Sequence, residues 1–266
     1  MKKLLFIFLA LTIFACSDDE GNPSVPEVPA IPQLLNCDGN PIPSIVYGTQ
    51  EWTVENACHI TYRDGTSIPE VTDNTEWANL TTGAWAYYNN DPTKPRLYNW
   101  YAVAGVHDTN INTPNKEFAP EGWRVPGITF PTADFQILEN HLIANGYNYD
   151  GTIDVNKIGK SMASETGWNS STQPGAVGND QSLNNSSGFN AFPEGFRLGY
   201  FQSGTDDVTD LYGTFRDEGN FVFFWGDFVR ATRTLIHNMP LFYHFGSTDT
   251  NGERPSWGFS VRLIRD

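Results

Sequence analysis

Several features that would assign this sequence to a function class are scarce or missing. Only 16 lysines and arginines stand against 31 aspartates and glutamates, a balance that disfavours binding to nucleic acid phosphates. No apolar run reaches the roughly 20 residues that a membrane-spanning helix needs. No repeat of fixed period and no glycine-rich phosphate loop is visible. The sequence therefore predicts no nucleic acid partner and no permanent transmembrane anchor.

The N-terminus carries a short positive segment followed by an apolar run. Two lysines precede residues 4–14 (LLFIFLALTIF), which have the length of a signal-peptide core. Residues 13–16 (IFAC) resemble a lipobox, in which a cysteine thiolate accepts a diacylglycerol. We therefore predict that residues 1–15 are a removed signal peptide and that Cys16 is lipidated. The alternative is an ordinary cleaved signal with an incidental cysteine.

The residues after Cys16 predict a surface-export signal and a stalk. Ser17, Asp18, Asp19 and Glu20 form a cluster that resembles the surface-export signal of lipoproteins from the Bacteroidetes group; the alternative is a solvated charge run. Prolines then recur every third residue from 23 to 32, which is typical of a stiff polyproline II segment about 35 Å long. We expect residues 16–33 to be a stalk on a protein that is lipid-anchored in the outer membrane and faces the cell exterior.

Residues 34–266 are long enough for one domain with a substantial core. The 24 glycines and 17 prolines predict many turns, and without the two leader lysines the chain carries 14 basic against 31 acidic residues, a net charge near −17. We predict a hairpin from 45–47 and 51–54, a helix over 132–145 begun by Thr132, a weaker helix over 154–165, a loop-rich region over 167–188 and a strand over 258–264. Few helices and many short strands indicate an α+β fold.

Seven segments, taken in order, resemble one family. They are Trp52–Asn56 (WTVEN), 64–69 (DGTSIP), 98–103 (YNWYAV), 119–126 (APEGWRVP), 167–169 (GWN), 188–197 (GFNAFPEGFR) and 258–262 (GFSVR). Together they are similar to the Fibrobacter succinogenes major paralogous domain, a family of secreted and surface lipoproteins without an assigned activity.

The resemblance implies a C-type lectin-like fold, with short antiparallel strands, one or two helices and long loops. In that fold the Trp52 strand would meet the Phe259 strand near the chain end. We also expect Phe259, Val261 and Leu263 to face the core, and Ser260 and Arg262 to face outward.

The cysteines of the domain predict a disulfide. Family members often carry one cysteine before the Pro-x-Gly-Trp segment and another in the final strand, where this sequence has Ala119 and Leu263. Cys37 and Cys58 remain, and in an oxidising compartment an even pair predicts a disulfide. The alternative is two free thiols, because sequence does not show whether their Cα atoms come within about 7 Å.

The aromatic residues allow two interpretations. Tryptophans that neighbour glycine, proline or asparagine stack on sugar rings in some proteins and staple loops to a core in others; these are Trp100, Trp123, Trp168 and Trp257. We expect a loop-built binding surface from 168–188 and 198–228, because binding sites tend to occupy loops on a rigid scaffold. Its stacking groups would be Tyr200, Phe201, Tyr212 and Phe215, with Asp206, Asp207 and Asp210 as hydrogen-bond acceptors.

Catalytic and metal signals are weak. The five histidines have no metal-ligand spacing, and Gly159–Lys160–Ser161 only approaches a nucleophile motif. The acidic residues of 206–218 suit calcium as hard oxygen ligands, yet they lack a known calcium-loop spacing. We therefore predict no catalytic residues, no metal ligands and no cofactor, with calcium left open. The expected function is non-catalytic binding or adhesion to glycan or protein, and the alternatives are a glycan-active enzyme with two carboxylates and a structural surface protein.

Overall fold

The N-terminal half begins with a hairpin and continues as short elements. The structure, a computed structural model, describes residues 34–127, 133–200, 211–227, 232–236, 244–245 and 255–265, all of which belong to one unit, Ile31–Asp266. Up to residue 162 the elements are β1 Ser44–Tyr47, β2 Gln50–Thr53, α1 Asn74–Ala78, β3 Trp85–Tyr87, β4 Arg96–Asn99, α2 Trp100–Val103, α3 Asp134–Ala144 and α4 Gly159–Met162, with a 3-10 helix at Tyr88–Asn90.

In its described residues, the chain beyond residue 162 contains short strands and one 3-10 helix, Gln181–Leu183. The strands are β5 Phe196–Arg197, β6 Phe215–Arg216, β7 Phe221–Trp225, β8 Thr232–Ile236, β9 His244–Phe245, β10 Gly258–Phe259 and β11 Ile264–Arg265. Few helices among many short strands make the fold α+β, as predicted.

Three antiparallel sheets organise these strands, with strand orders β1-β2-β11, β3-β4-β10-β5-β6 and β7-β8-β9. The last two strands of the chain therefore enter two different sheets. Ile264 pairs with Trp52 in β2, and Phe259 pairs with Tyr98 in β4. The strand near the chain end does meet the Trp52 strand, but through Ile264 and not through Phe259.

The predicted hairpin is confirmed, with strand limits shifted by a residue. Tyr47 pairs with Gln50, so a two-residue turn of Gly48 and Thr49 joins the strands. Gly48 has φ of 66°, a left-handed conformation that glycine adopts without steric cost. Along β1 the burial alternates, with Val46 exposed and Tyr47 buried.

The predicted helix at 132–145 is also confirmed, as α3. Phe135, Leu138 and Leu142 form a fully buried stripe, and Gly146 follows the helix with φ of 79°. Thr132, the expected cap, lies outside the described residues, and Ala133 at the cap position makes no side-chain cap bond.

Asp134 begins α3 and also bonds residues outside the helix. It is buried and accepts hydrogen bonds from Gln50 Nε2 at 3.0 Å, from the Gly127 amide at 2.5 Å and from the Arg124 guanidinium. The carboxylate therefore joins the hairpin to the segment that precedes the helix.

The predicted helix over 154–165 is wrong apart from the single turn of α4. The buried side chain of Asn148 holds the preceding segment in a loop. Its Nδ2 donates to the carbonyls of Thr152 and Val155 at 2.6 and 2.7 Å, and its Oδ1 accepts from the Lys157 amide at 2.8 Å. These bonds take the backbone groups that a helix would have used. The loop-rich region predicted for 167–188 is confirmed, with only the short 3-10 helix inside it.

Three hydrophobic clusters lie between the sheets. The first core cluster includes Tyr47, Trp52, Phe135, Leu138, Leu142, Phe189, Phe224 and Ile264. The second core cluster includes Trp85, Tyr98, Phe118, Ala119, Trp123, Trp225, Phe259, Val261 and Leu263. The third core cluster is built from Val71, Trp77, Ala84 and Ala86. Ala119 and Leu263, the positions where relatives often carry cysteines, lie in the same cluster.

The C-terminal segment separates the first two clusters and corrects one prediction. Phe259, Val261 and Leu263 are buried as expected, but Ser260 and Arg262 are also buried, at 0% and 1% exposure. Arg262 donates to the carbonyl oxygens of Thr53 and Asn190 at 2.8 and 3.1 Å. Both faces of the segment are covered, so its alternation of apolar and polar residues does not indicate a solvent-exposed face.

In the described residues, no helix has the length and apolar character that would let it cross a membrane.

Candidate functional site

Many of the predicted site residues lie outside the described residues. These are the lipidation residue Cys16, the acidic residues Ser17, Asp18, Asp19 and Glu20, and the loop residues Phe201, Asp206, Asp207 and Asp210. Their assignments stay predictions.

The predicted stacking residues within the described segments fall into two groups. Tyr200 is 51% exposed and its ring centroid lies 5.4 Å from that of half-buried Tyr212, so these two residues do come together. Phe215 packs against the third core cluster and contacts Tyr88 at 5.3 Å between centroids. Its ring also lies 4.6 Å from the Arg197 guanidinium carbon. Phe215 is therefore poorly placed to act as an exposed stacking group.

Arg197 holds together the backbone segments next to Tyr200 and Tyr212. The buried guanidinium donates to the carbonyls of Gly213 and Val71 at 2.7 and 2.5 Å and lies 4.3 Å above the Trp77 ring. Burial lowers the pKa of Arg197 to about 10. Because Gly213 also donates its amide to the Leu198 carbonyl at 3.0 Å, residues 198 and 213 are held side by side at the base of the predicted surface.

The four tryptophans divide between the two interpretations. Trp123 and Trp168 are buried core residues, with 7% and 4% exposure. Trp100 and Trp257 are half-buried and pack on the second core cluster. Trp100 also lines a surface cavity among the described residues.

That cavity, here called the Trp100 groove, is the best candidate site in the described residues. It has a volume of about 350 Å³, which is within the range of small-ligand sites. Trp100, Val103 and Phe118 supply its apolar lining, and its polar lining comes from Asn115, Lys116, Glu117, Arg124 and Asp227.

Trp100 is held in place by its neighbours. The fully buried Asn99 caps α2, accepting from the Ala102 and Ala84 amides at 2.9 and 3.0 Å. The Trp100 amide donates to the Pro255 carbonyl at 2.8 Å, and the Trp100 ring lies 5.6 Å from the Trp225 ring. One side of the indole is thus fixed against the core while the other lines the groove.

The charged residues of the groove are paired across its edges. Lys116 Nζ lies 2.5 Å from Asp64 Oδ2, and the Lys116 ammonium holds the pKa of Asp64 well below its usual range. Arg124 pairs with buried Asp134, with an Nη2 to Oδ1 distance of 3.1 Å. The groove therefore carries both signs of charge, whereas the chain as a whole has a net charge of −15.

A second cavity of about 290 Å³ adjoins the groove and shares Asn115 with it. It lies along residues 105–116, a loop whose ends are joined by the bond from the Lys116 amide to the Gly105 carbonyl at 2.9 Å. Gly105 has φ of 76°, and a Cβ there would lie 1.8 Å from the Lys116 carbonyl oxygen. Ile111 at the tip of this loop is 95% exposed.

No group of three or more histidine, cysteine, aspartate or glutamate side chains suited to a metal occurs in the described part of the chain. Glu218, one of the acidic residues considered for calcium, forms an ion pair with Lys94. Residues 206–210 of the same acidic stretch lie outside the described residues.

The predicted disulfide is not formed, since Cys37 and Cys58 are both free thiols. Cys37 is exposed and Cys58 is buried. The two thiols interact directly: the hydrogen bond with Cys58 is the largest cause that lowers the pKa of Cys37 to about 7, and the same interaction raises the pKa of Cys58. The sequence therefore identified Cys37 and Cys58 as a pair, but it did not predict that both are free thiols.

Glu194 is a half-buried residue that the sequence did not single out. Its Oε2 accepts from Ser260 Oγ at 2.5 Å and from Asn56 Nδ2. Burial raises the pKa of Glu194, and the nearby Arg262 guanidinium opposes that rise. The carboxyl links two segments far apart in sequence.

The groove residues other than Trp100 were also missed by sequence reasoning. The polar loop that follows the 98–103 motif was the available signal, because loops on a rigid scaffold carry binding residues more often than regular elements do.

Comparison with known proteins identifies the family. No curated protein and no solved structure matches the chain significantly. The family model described as the Fibrobacter succinogenes major domain matches residues 45–265, which cover every described helix and strand except the first residue of β1. The chain therefore belongs to the Fibrobacter succinogenes major domain family.

Proposed function

We propose that this chain is a lipoprotein of the outer membrane that faces the cell exterior and binds an extracellular glycan or protein without catalysis. The anchor would be a diacylglycerol on Cys16, and the Pro-rich residues 23–32 would hold the domain away from the lipid. The family name carries no activity, so the proposal rests on the leader sequence and on the groove.

The observation that carries the binding function is the half-buried Trp100 in a groove with polar edges. An indole face packs on the apolar C–H face of a sugar ring and adds a large contact area. Asn115, Glu117 and Asp227 supply amide and carboxylate groups for hydroxyls. The net charge of −15 disfavours acidic polymers, so we propose a neutral glycan as the ligand.

A C-type lectin-like arrangement is part of the proposal. Its support is the pairing of β2 with β11, which closes the N-terminal hairpin against the chain end, together with the long loops between short strands. Fold alone does not assign a ligand, so the groove remains the argument for function.

The binding test uses a panel of neutral polysaccharides and compares two surfaces. We expect Trp100→Ala to weaken binding about ten-fold, which is roughly 1.4 kcal/mol. Tyr200→Ala is the matched control, because it removes an exposed aromatic from the other candidate surface. The near-ultraviolet dichroism of both variants should match the wild type, and Trp100→Phe should retain part of the affinity.

The outcomes of this test separate the alternatives. Loss of binding in Tyr200→Ala with retention in Trp100→Ala would move the site to the Tyr200 and Tyr212 surface. Absence of binding to any glycan or protein ligand tested would favour a structural surface protein.

A glycan-cleaving enzyme is the second candidate, and one cavity favours it. Glu194 and Glu218 both line a space of about 250 Å³ with exposed Phe192. Burial raises the pKa of Glu194, whereas Glu218 is paired with Lys94, and two carboxyls in unlike environments are what an acid and its charged partner require. Release of reducing sugar that Glu194→Gln abolishes would support this activity over binding alone.

The anchor has its own test. Cys16→Ala should abolish incorporation of labelled lipid and shift the protein out of the membrane fraction, because no other residue offers a thiol at the lipobox. Unchanged labelling would contradict lipidation at Cys16.

Surface display is tested separately from lipidation. Replacing Asp18, Asp19 and Glu20 by alanine should leave labelling intact and reduce cleavage by protease added to whole cells. Equal cleavage of this variant and the wild type would show that the acidic cluster is not an export signal.

A further inference from the structure

Cys37 and Cys58 form a pair of thiols, and neither residue lines the proposed groove. Cys37 is exposed in the turn between Leu35 and Pro41, which are bridged to each other. Cys58 is buried beside Ala57, whose amide donates to the Val261 carbonyl at 2.8 Å. Because Cys37 is exposed and Cys58 is buried, a reagent in solution has better access to Cys37.

Arg96 orients a positive charge toward the exposed thiol. Its Nη1 lies 3.8 Å from Cys37 Sγ, and its Nη2 donates to the Tyr87 hydroxyl at 2.8 Å. The guanidinium carbon lies 4.7 Å from the Trp85 ring and 5.1 Å from the Tyr87 ring. A cation held this firmly next to a sulfur stabilises the thiolate, which is the nucleophilic form of cysteine.

We propose that Cys37 and Cys58 form a thiol-exchange site in which Cys37 attacks a low-molecular-weight disulfide and Cys58 resolves the product. In the first step the Cys37 thiolate forms a bond with one sulfur of the disulfide and expels the other half as a thiolate. In the second step Cys58 loses its proton and attacks the Cys37 sulfur, which expels the remaining half. The two protein thiols are oxidised by two electrons, and the small disulfide is reduced to two thiols.

The charges around the pair support this order. The interaction with Cys58 and the Arg96 charge lower the pKa of Cys37 to about 7 against the opposing effects of burial, Asp38 and Glu55. A lowered pKa increases the thiolate fraction of Cys37 at neutral pH, and the thiolate is the form that attacks a disulfide.

The interaction between the two thiols also explains why Cys58 attacks second. The hydrogen bond to Cys37 is the largest cause that raises the pKa of Cys58, and the Cys37 charge adds to it. Once Cys37 is capped as a mixed disulfide, both causes disappear and Cys58 deprotonates more easily. Cys58 therefore stays inert until Cys37 has reacted.

The first test is alkylation of the full-length protein in non-denaturing detergent after reduction, with peptide mass spectrometry to assign each thiol. Iodoacetamide at pH 7 should modify Cys37 at least ten times faster than Cys58. Equal rates, or faster modification of Cys58, would overturn the proposal without any variant being needed.

The second test uses oxidised glutathione and two variants. The wild type should finish with a Cys37–Cys58 disulfide and no retained glutathione. Cys58→Ser should accumulate glutathione on Cys37, and Cys37→Ser should leave Cys58 unmodified under native conditions. A wild type that keeps the mixed disulfide would refute the resolving role of Cys58.

Arg96 is tested as a positioning residue through a pH–rate profile of Cys37 alkylation. Arg96→Gln should move the midpoint to higher pH, Arg96→Lys should restore part of the shift, and Arg216→Gln on β6 is the matched control. A profile that Arg96→Gln leaves unchanged would remove Arg96 from the site.

Discussion

The N-terminal hairpin and the C-terminal segment differ in how their side chains are covered. In β1 the burial alternates, since Val46 is 63% exposed and Tyr47 is 3% exposed. In residues 258–264 every position is buried. Phe259, Val261 and Leu263 contribute to the second core cluster, and Arg262 lies 4.8 Å from the Phe189 ring of the first core cluster. A sequence that alternates apolar and polar residues, as 258–264 does, therefore indicates a solvent-exposed face only where one face of the strand has no neighbour packed on it.

The largest effect expected from this comparison is that of removing the C-terminal segment. Deleting residues 258–266 takes β10 from between β4 and β5 and takes β11 from β2, and it opens both large core clusters. We expect the domain to unfold, with loss of near-ultraviolet dichroism and of a cooperative thermal transition. A truncated protein with the wild-type melting curve would show that the segment is peripheral.

Arg262→Ala should have the next largest effect, a loss of about 3 kcal/mol in the free energy of unfolding. The substitution leaves the buried carbonyls of Thr53 and Asn190 without these donors and opens a cavity beside Phe189. Urea unfolding measures the loss. Arg262→Met, which keeps the side-chain volume, should recover part of it, and a loss under about 1 kcal/mol in both variants would contradict the buried assignment.

Glu194→Gln should show a smaller, pH-dependent effect on the same segment. Burial raises the pKa of folded Glu194 above its unfolded value of about 4.3. The carboxyl is protonated in both states at low pH, and wild-type stability falls as the pH rises through the folded pKa.

Glutamine keeps an acceptor for Ser260 and Asn56 but cannot ionise. We therefore expect the stability of the variant relative to wild type to increase as the pH rises from about 4.3 through the folded pKa of Glu194. Thermal melts across this range measure it, and a difference that is constant with pH would contradict the raised pKa.

Arg265→Ala should have the smallest effect, although Arg265 is only three residues from Arg262. Its Nε pairs with Glu51 Oε2 at 2.7 Å on a partly exposed edge, where ion pairs contribute below about 1 kcal/mol. Urea unfolding at low and high salt measures the loss, which should shrink as salt screens the pair. A loss equal to that of Arg262→Ala would erase the distinction between the two arginines.

Local patterns predicted the first hairpin and α3, but not the other described helices or most of the short strands. The 45–54 hairpin and the 132–145 helix follow from two-residue and helical periodicities that involve only neighbouring residues. The helix expected over 154–165 failed because the Asn148 side chain took the backbone groups of that segment. This competition comes from a buried residue outside the segment, so no window over 154–165 contains it.

The candidate site was predicted only in part. Tyr200 and Tyr212 do meet, whereas Phe215 was expected at the surface and packs on the third core cluster. The charged edges of the Trp100 groove depend on Lys116 meeting Asp64 and on Arg124 meeting Asp134. Residues 64 and 116 are brought together by the fold, and their spacing in sequence carries no signal.

The sequence by itself determined the family, the α+β class, the first hairpin and the apolar stripe of α3, because each depends on residue order or on local period. Only the tertiary structure decided that Arg262 points into a core, that Glu194 accepts a hydrogen bond from Ser260 and that one side of Trp100 lines a groove. The physical reason is that burial of a side chain depends on what packs against it, and that neighbour comes from a distant part of the chain.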